Sequence, residues 1–208
     1  MRIDEFGAPR TATDMDDTVE FRVAIGILIA AALVVRIPRH VRSYESGEKQ
    51  LLESKLNIAA RSLAGLAGFA LLIVYLVEPE WIGWAQLPMP NWMRWLGAVI
   101  GIAGIGGLIW VHRELGRNFS GTLQVRADQT LITSGPYRWV RHPMYTMMYL
   151  ITISFFLLSA NWGLGVIWIG GFTLVVISRL SKEDAAMEAT FGDEYRTWAS
   201  RTGRLLPR

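Results

Sequence analysis

The densest group of residues able to do chemistry occupies positions 135–145, which read GPYRWVRHPMY. Proline suits the first position of a helix, so Pro143 predicts a helix start with His142 at its N-cap. The free N–H groups of a first helical turn attract an anion, and Arg141 and His142 add donors beside them. The pattern predicts an anion-binding site, although the same two side chains could equally anchor the helix in lipid headgroups.

A second group consists of Arg179 with the carboxylates Glu183, Asp184 and Glu188. Arg179 and Glu183 are four residues apart, which places them on the same face of a helix. A cation beside a carboxylate at a membrane boundary is a candidate functional site, because charge is costly there. The alternative is an ordinary interfacial salt bridge.

Five apolar segments must position these two groups. Runs of about 17–25 apolar residues can cross a hydrocarbon core of about 30 Å as helices. The segments that approach this length are residues 21–37, 58–77, 92–111, 144–160 and 162–180, with a polar break at Asn161 that predicts a helical hairpin. A hydrophobic share of 51% over 208 residues agrees. The sequence therefore predicts an all-α fold, a polytopic integral membrane bundle of about five transmembrane helices.

Lysine and arginine mark alternate loops of this bundle. They lie between the first two spans, between the third and fourth, and after the fifth, whereas residues 78–91 and the turn at Asn161 carry none. Because basic loops stay in the cytoplasm, we expect an N-terminus outside and a C-terminus in the cytoplasm, in the inner membrane if the chain is bacterial. Anionic membrane lipid accounts for these cations, so no nucleic-acid partner is expected.

The chain is predicted to form one domain over residues 1–208. Residues 1–18 are polar and contain no cleavable signal, so we expect a disordered lead-in. The only sizeable loop covers residues 111–142, with β-like alternation at 122–133 closed by turn-forming residues.

The fifth helix is predicted to continue beyond the membrane. Residues 182–190 are good helix formers, and Gly192 is a plausible stop. A short helix at about 193–200 would then place Tyr195 and Trp198 on one face.

Other conspicuous residues have plainer interpretations. Cysteine is absent, which excludes disulfides, thiolate metal sites and a cysteine nucleophile. His40 and His112 lack partners at metal-ligand spacing, so we expect interfacial or hydrogen-bonded side chains and no metal site. Four glycines resemble a dinucleotide-binding fingerprint only superficially, and their place inside a membrane span favours close helix packing instead. They are Gly101, Gly104, Gly106 and Gly107.

The C-terminal half, residues 112–208, resembles the isoprenylcysteine carboxyl methyltransferase family, which is related to membrane phospholipid methyltransferases. The matching motifs are LGRNFS at 115–120, LITSGPY at 131–137, RHPMY at 141–145, Arg179 with Glu183 and Asp184, FGDEY at 191–195, and a terminal Leu-Pro at 206–207. Family members often carry consecutive glutamates where this chain has Lys182-Glu183-Asp184. Either acidic residue could therefore take the role of the family glutamate.

The resemblance implies a single membrane methyltransferase domain that uses S-adenosyl-L-methionine, with a cofactor pocket formed by the cytoplasmic loop and the C-terminal helices. The implied cofactor-binding residues are Gly135, Tyr137, Arg141, His142, Pro143, Tyr145 and Glu183, and the implied catalytic residues are Arg179, Glu183 and Asp184. His142 and the helix start would suit the cofactor's carboxylate, and Arg179 would hold an acidic acceptor near the methyl group.

The implied acceptor is a lipophilic small molecule or prenylated substrate that enters from the membrane, for example the carboxylate of an isoprenylcysteine-like compound. An amine, thiol or phospholipid acceptor also stays open.

Two other functions stay open on the sequence. A membrane reductase similar to sterol reductases would use NADPH and would need cationic groups for its extra phosphate. A non-catalytic membrane scaffold would have no need for the polar groups around His142 and Arg179 to converge.

Overall fold

A computed structural model describes residues 12–44, 55–116 and 130–208 of the chain, and these ranges contain helices and no strand. The main helices are α1 (Ala12–Tyr44), α2 (Lys55–Val77), α3 (Asn91–Leu115), α4 (Pro143–Ser159) and α5 (Trp162–Arg201). Short 3₁₀ turns occupy Pro79–Ala85 and Gly135–Arg138. Within α5, residues Val166–Gly170 form a π-helical turn.

Two of these helices, α3 and α5, are long and apolar enough to cross a membrane by themselves. The pair Gly65–Val77 and Pro79–Ala85 is bent by 109° and makes a third crossing if it counts as one span. Helix α4 is apolar but shorter, with 17 residues. The predicted all-α membrane bundle is confirmed, and by length and composition the described helices supply two or three of the five predicted spans.

Helix α5 is longer than a membrane is thick. About 20 residues cross the hydrocarbon core, whereas α5 has 40. Its apolar part ends near Leu180, and the helix continues through the polar residues from Ser181 onward, so the predicted continuation is confirmed. Gly192 has a φ of 54° and interrupts the helical backbone, so the predicted break and the short helix after it are also confirmed.

The turn between α4 and α5 confirms the predicted hairpin. Ala160 adopts a left-handed conformation with a φ of 47°, which ends α4. The side chain of Asn161 then accepts the backbone N–H of Leu164 at 3.1 Å, and its Nδ2 donates to the carbonyl of Ile82 at 2.9 Å. Asn161 is thus both the N-cap of α5 and a tie to the 3₁₀ turn.

Arg94 fixes the same end of α4. Its Nε and Nη2 donate to the carbonyl oxygen of Leu158 at 3.0 and 2.9 Å, which satisfies one of the last carbonyls of the helix. The guanidinium carbon lies 3.6 Å from the ring centroid of Phe21 on α1, a cation–π contact. This buried cation therefore ties α1, α3 and α4 together.

Glycines bring α3 and α4 into close contact. A Cβ atom on Gly97 would lie 2.7 Å from the Cβ of Leu157. Three further glycines are equally crowded: Gly101 against Ser154, Gly104 against Ile151, and Gly107 against Met147. Gly106 faces open space, so the packing prediction is confirmed for Gly101, Gly104 and Gly107 and wrong for Gly106.

The N-terminal part of the chain departs from its prediction. Helix α1 begins at Ala12, so residues 12–18 are helical rather than a disordered lead-in. Residues 1–11 and most of the β-like segment at 122–133 lie outside the described residues.

We expect Gly97→Ala to destabilise the protein by about 2 kcal/mol, because the added methyl group must push α4 away from α3. Gly106→Ala is the matched control and should leave stability unchanged or raise it by up to about 1 kcal/mol, since alanine is the better helix former. Unfolding of the purified protein in mixed detergent micelles measures both. Equal effects of the two substitutions would contradict the packing described.

Candidate active site

The chain after α5 runs beside the segment that leads into α4. Val140 and Gly203 form a parallel bridge, and the backbone N–H groups of Arg141 and His142 donate to the carbonyls of Gly203 and Arg204 at 2.8 and 3.0 Å. The C-terminal segment therefore forms one wall of the site, and it fixes the backbone from which Arg141 and His142 project.

Aromatic residues hold this loop on the last turns of α5. The indole Nε1 of Trp198 donates to the carbonyl of Tyr137 at 3.0 Å. The rings of Tyr195 and Trp198 meet edge to face at 5.5 Å, which agrees with the predicted shared face. Tyr137 is buried here, and burial followed by the charge of Glu183 raises the pKa of its hydroxyl well above the ordinary value.

Glu183 lies at the centre of the site. Its Oε1 accepts hydrogen bonds from the hydroxyl of Tyr145 at 2.6 Å and from Nε of Arg179 at 3.2 Å. Its Oε2 lies 3.4 Å from Nδ1 of His142. Burial raises the pKa of the Glu183 carboxyl, but the hydrogen bonds of His142 and Tyr145 and the charge of Arg179 lower it by more. Glu183 is therefore ionised at neutral pH.

Asp184 follows directly and has its own partners. Its Oδ1 accepts from Nε2 of His142 at 2.7 Å and from the hydroxyl of Tyr195 at 2.5 Å. Its Oδ2 accepts from Nε of Arg204 at 2.8 Å and lies 3.7 Å from Nη1 of Arg141. Burial opposes ionisation, but the hydrogen bonds of His142 and Tyr195 hold the pKa of Asp184 well below its ordinary value.

His142 bridges the two carboxylates with its two ring nitrogens. Burial lowers the pKa of the imidazole, and the hydrogen bonds and charges of Asp184 and Glu183 raise it by more, so the pKa lies above the ordinary 6.5. The ring is thus favoured as an imidazolium that donates from both nitrogens. In that state it has no lone pair with which to take a proton.

The structure brings together most of the predicted site residues. The cluster contains Arg141, His142, Tyr145, Arg179, Glu183 and Asp184. Pro143 is buried as the first residue of α4. Gly135 lies apart from the carboxylates, against α3: its φ is 56°, and a Cβ atom there would lie 2.5 Å from Cδ of Glu114.

Two residues that contact Asp184 in the cluster were not predicted to belong to it. Tyr195 was expected only to share a face with Trp198, and Arg204 was only one of the basic residues of the tail, yet both bind Asp184. Neither contact has a local signal, because each partner is more than ten residues away from Asp184 along the chain.

An aromatic wall leads from Glu183 toward the membrane between α4 and α5. The ring of Phe172 lies 6.1 Å from that of Tyr145 and 4.8 Å from that of Tyr149. The hydroxyl of Tyr149 donates to Oγ1 of Thr173 at 3.1 Å, and Thr173 donates to the carbonyl of Ile169 in the π-helical turn at 2.7 Å. A lipophilic chain could lie along this wall with its polar end near Glu183.

Metal binding has no support within the described ranges, which contain no group of three or more histidines and acidic residues able to hold a metal ion. Nδ1 of the buried His112 lies 2.7 Å from the carbonyl of Leu108, so the hydrogen-bonded interpretation of His112 is confirmed. The side chain of His40 is outside the described residues.

Comparison with known proteins adds to this geometry. The sequence profile of the isoprenylcysteine carboxyl methyltransferase (ICMT) family matches residues 96–189, which run from α3 past Glu183 and Asp184. This part of the chain is similar to the isoprenylcysteine carboxyl methyltransferase family. The predicted resemblance is confirmed.

Similar proteins include the protein-S-isoprenylcysteine O-methyltransferases of Rattus norvegicus and Homo sapiens. They are 28% and 27% identical to this chain over 130 residues, which is 62% of this chain and 46% of each relative. The chain thus spans about half the length of these curated relatives.

A solved structure of a eukaryotic intramembrane Ras methyltransferase of the ICMT type superimposes with a TM-score of 0.56 and 19% identity. It covers 75% of this chain and 54% of the solved chain, and it shows that the fold is shared. The family fold and the apolar helices make this chain an integral membrane protein.

The family match ends at residue 189, so Tyr195 and Arg204 lie beyond it.

Replacing Asp184 by asparagine should lower the free energy of unfolding by about 2–3 kcal/mol, because His142 and Arg204 lose a shared anionic partner. The pH dependence should also change. A histidine whose folded pKa is raised stabilises fully below its unfolded pKa, here 6.5, and this stabilisation is lost as pH rises through the folded pKa. The wild-type protein should therefore lose stability as the pH rises above 6.5 and through the raised folded pKa of His142, and Asp184→Asn should lose less.

The matched control is Asp193→Asn, which removes a carboxylate paired with Arg196 on the exposed surface. Its stability and pH dependence should follow the wild type. Chemical unfolding in detergent at several pH values measures all three proteins. Identical pH profiles for Asp184→Asn and the wild type would contradict the bridging role of His142.

Proposed function

We propose that this protein is an S-adenosyl-L-methionine-dependent membrane methyltransferase that methylates the carboxylate of a lipophilic, isoprenylcysteine-like acceptor. One observation carries the proposal. Glu183 and Asp184 lie side by side on α5, ionised, and are surrounded by donors from the start of α4, from α5 and from the C-terminal segment. Both residues fall within the part of the chain that matches the family.

The charges of the site fit the proposed cofactor. When bound, S-adenosylmethionine supplies an electrophilic methyl group on a positively charged sulfur, and it also carries an ammonium and a carboxylate. Glu183 and Asp184 complement the two positive groups. Arg141 complements the carboxylate, and its Nε is buried without a hydrogen-bond partner in the described part of the chain. An unsatisfied buried donor is costly, and an anionic ligand would satisfy it.

The remaining predicted cofactor residues would shape the pocket around these charges. His142 and Tyr145 contribute stacked rings, whose centroids are 5.9 Å apart, and Pro143 starts the helix that carries them. Tyr137 supplies a buried aromatic edge near Glu183. Gly135 would act through the shape of its turn, because it lies beside Glu114 rather than beside the carboxylates.

Arg179 is proposed to hold the acceptor. Among the described residues only its Nε is paired, with Glu183, so its terminal nitrogens are available to an acceptor carboxylate. Such a carboxylate is already ionised and needs no general base. The work of the protein is then to align the acceptor oxygen with the methyl group and to exclude water. The Tyr145 hydroxyl keeps Glu183 oriented during this alignment.

The lipophilic part of the acceptor is proposed to lie along Phe172 and Tyr149, reaching the site sideways from the membrane. We also propose that this end of the bundle faces the cytoplasm, with the N-terminus outside. Arginines crowd this end, whereas the Lys- and Arg-free loop at 78–91 carries the exposed Trp81 and Trp84, which suit the opposite membrane interface. Surrounding lipid and the acceptor would be its partners.

Methyl transfer tests the proposal. The purified protein in lipid nanodiscs should transfer label from methyl-labelled S-adenosylmethionine to an N-acetyl-S-isoprenylcysteine and form a base-labile methyl ester. Glu183→Gln and Arg179→Met should lower kcat/KM by about 100-fold or more, because both groups contact reactants. Glu188→Gln is the matched control, since Glu188 is an exposed partner of Arg196, and it should keep wild-type activity. Full activity of Glu183→Gln, or no ester with the wild type, would contradict the proposal.

A further inference from the structure

Arg36 places a cation near the site from a part of the chain that the family match does not reach. It lies on α1, whereas the match begins at residue 96. Its Nη1 lies 3.1 Å from the Sδ of Met148 on α4. Met148 is one helical turn beyond Tyr145, so the guanidinium lies beside the helix that carries the site.

Arg36 has no carboxylate partner within the described ranges, where its hydrogen bond goes to the thioether of Met148, a weak acceptor. The residue is half-buried and directly follows the apolar part of α1. A cation in such a place is costly unless it has an anionic partner, and in membrane proteins it commonly marks a ligand site.

The other cations of the site are already matched to carboxylates. Arg179 pairs with Glu183, and Arg141 and Arg204 pair with Asp184. Arg36 interacts electrostatically with Arg179, a like charge, and with the Tyr145 side chain. Arg36 therefore adds a positive charge beside the Arg179–Glu183 pair that no carboxylate of the described residues offsets, and an anionic ligand near Arg36 and Arg179 would neutralise it.

We infer that Arg36, together with Arg179, binds the negatively charged group of the methyl acceptor and thereby selects a lipophilic carboxylate over an amine or a neutral thiol. The inference rests on the proposed function and adds a specificity-determining residue from α1 to the same site. Two guanidinium groups bind one carboxylate from two sides, whereas they repel a protonated amine and gain nothing from a neutral thiol.

Binding rather than turnover tests this role. Two probes are compared by calorimetric titration of the full chain in detergent: an N-acetyl-S-isoprenylcysteine and its carboxamide. The wild type should prefer the carboxylate. Arg36→Met should weaken carboxylate binding about tenfold and leave carboxamide binding unchanged, which is the effect of losing one charge-assisted contact. Affinity for S-adenosylhomocysteine should stay within about twofold of the wild type.

Two further variants serve as controls. Arg36→Lys keeps the charge and should recover most of the preference for the carboxylate. Met148→Leu removes the thioether contact but not the charge, and it should behave as the wild type. These variants also test the inference if Arg36→Met does not fold.

Equal losses for both probes would overturn the inference, because Arg36 would then act through packing. A loss confined to S-adenosylhomocysteine would also overturn it, since the ligand would be the carboxylate of the cofactor. A wild type without preference for the carboxylate overturns it directly. If the carboxylate probe binds through Arg36 but no cofactor binds and no methyl is transferred, the inference stands and the proposed methyl transfer fails.

Discussion

Two adjacent carboxylates at the edge of a membrane are the constraint on which the rest of this site depends. Glu183 and Asp184 repel each other and lose hydration, so they stay ionised only if nearby donors compensate. His142 supplies the central compensation, because its Nε2 donates to Asp184 at 2.7 Å and its Nδ1 lies 3.4 Å from Oε2 of Glu183. The imidazole thus connects the start of α4 to the middle of α5, and the C-terminal segment joins through Arg204.

The far end of the bundle makes this arrangement possible. Helix α4 is pinned at its C-terminal end by Arg94 and pressed against α3 along the crowded glycines. The N-terminal end of α4 is therefore held in a fixed position, with His142 as the N-cap residue and Pro143 as the first residue of the helix. The bundle thus combines a rigid apolar scaffold with a charged end, and such a scaffold can hold a group of polar side chains in a fixed geometry.

Local signals in the sequence predicted a large part of this structure. Asn161 marks the hairpin, Gly192 interrupts α5, and three of the four singled-out glycines pack against α4, because each of these effects depends on a residue and its immediate neighbours. The RHPMY motif and the spacing of Arg179 from Glu183 predicted residues that the structure brings together. Gly106 was misjudged since the orientation of α3 decides which glycines face α4, and that orientation is a tertiary property.

Long-range contacts were beyond sequence reasoning. Arg36, Tyr195 and Arg204 reach the site from α1, from the end of α5 and from the C-terminal segment, and nothing in their local patterns distinguishes them from other interfacial side chains. The position of Arg36 in particular does not follow from its neighbours in the sequence. Its place near Met148 and Arg179 depends on how α1 packs against α4.

The most direct test of the account is a calorimetric titration of the purified protein with S-adenosylhomocysteine, with NADPH as the comparison ligand. We expect saturable binding of S-adenosylhomocysteine and no binding of NADPH. The affinity for S-adenosylhomocysteine should be at least about tenfold weaker in His142→Gln, because this variant lacks the imidazolium that organises both carboxylates. Binding of NADPH alone, or unchanged S-adenosylhomocysteine affinity in folded His142→Gln, would contradict the claim that the His142–Glu183–Asp184 cluster is the cofactor site of a methyltransferase.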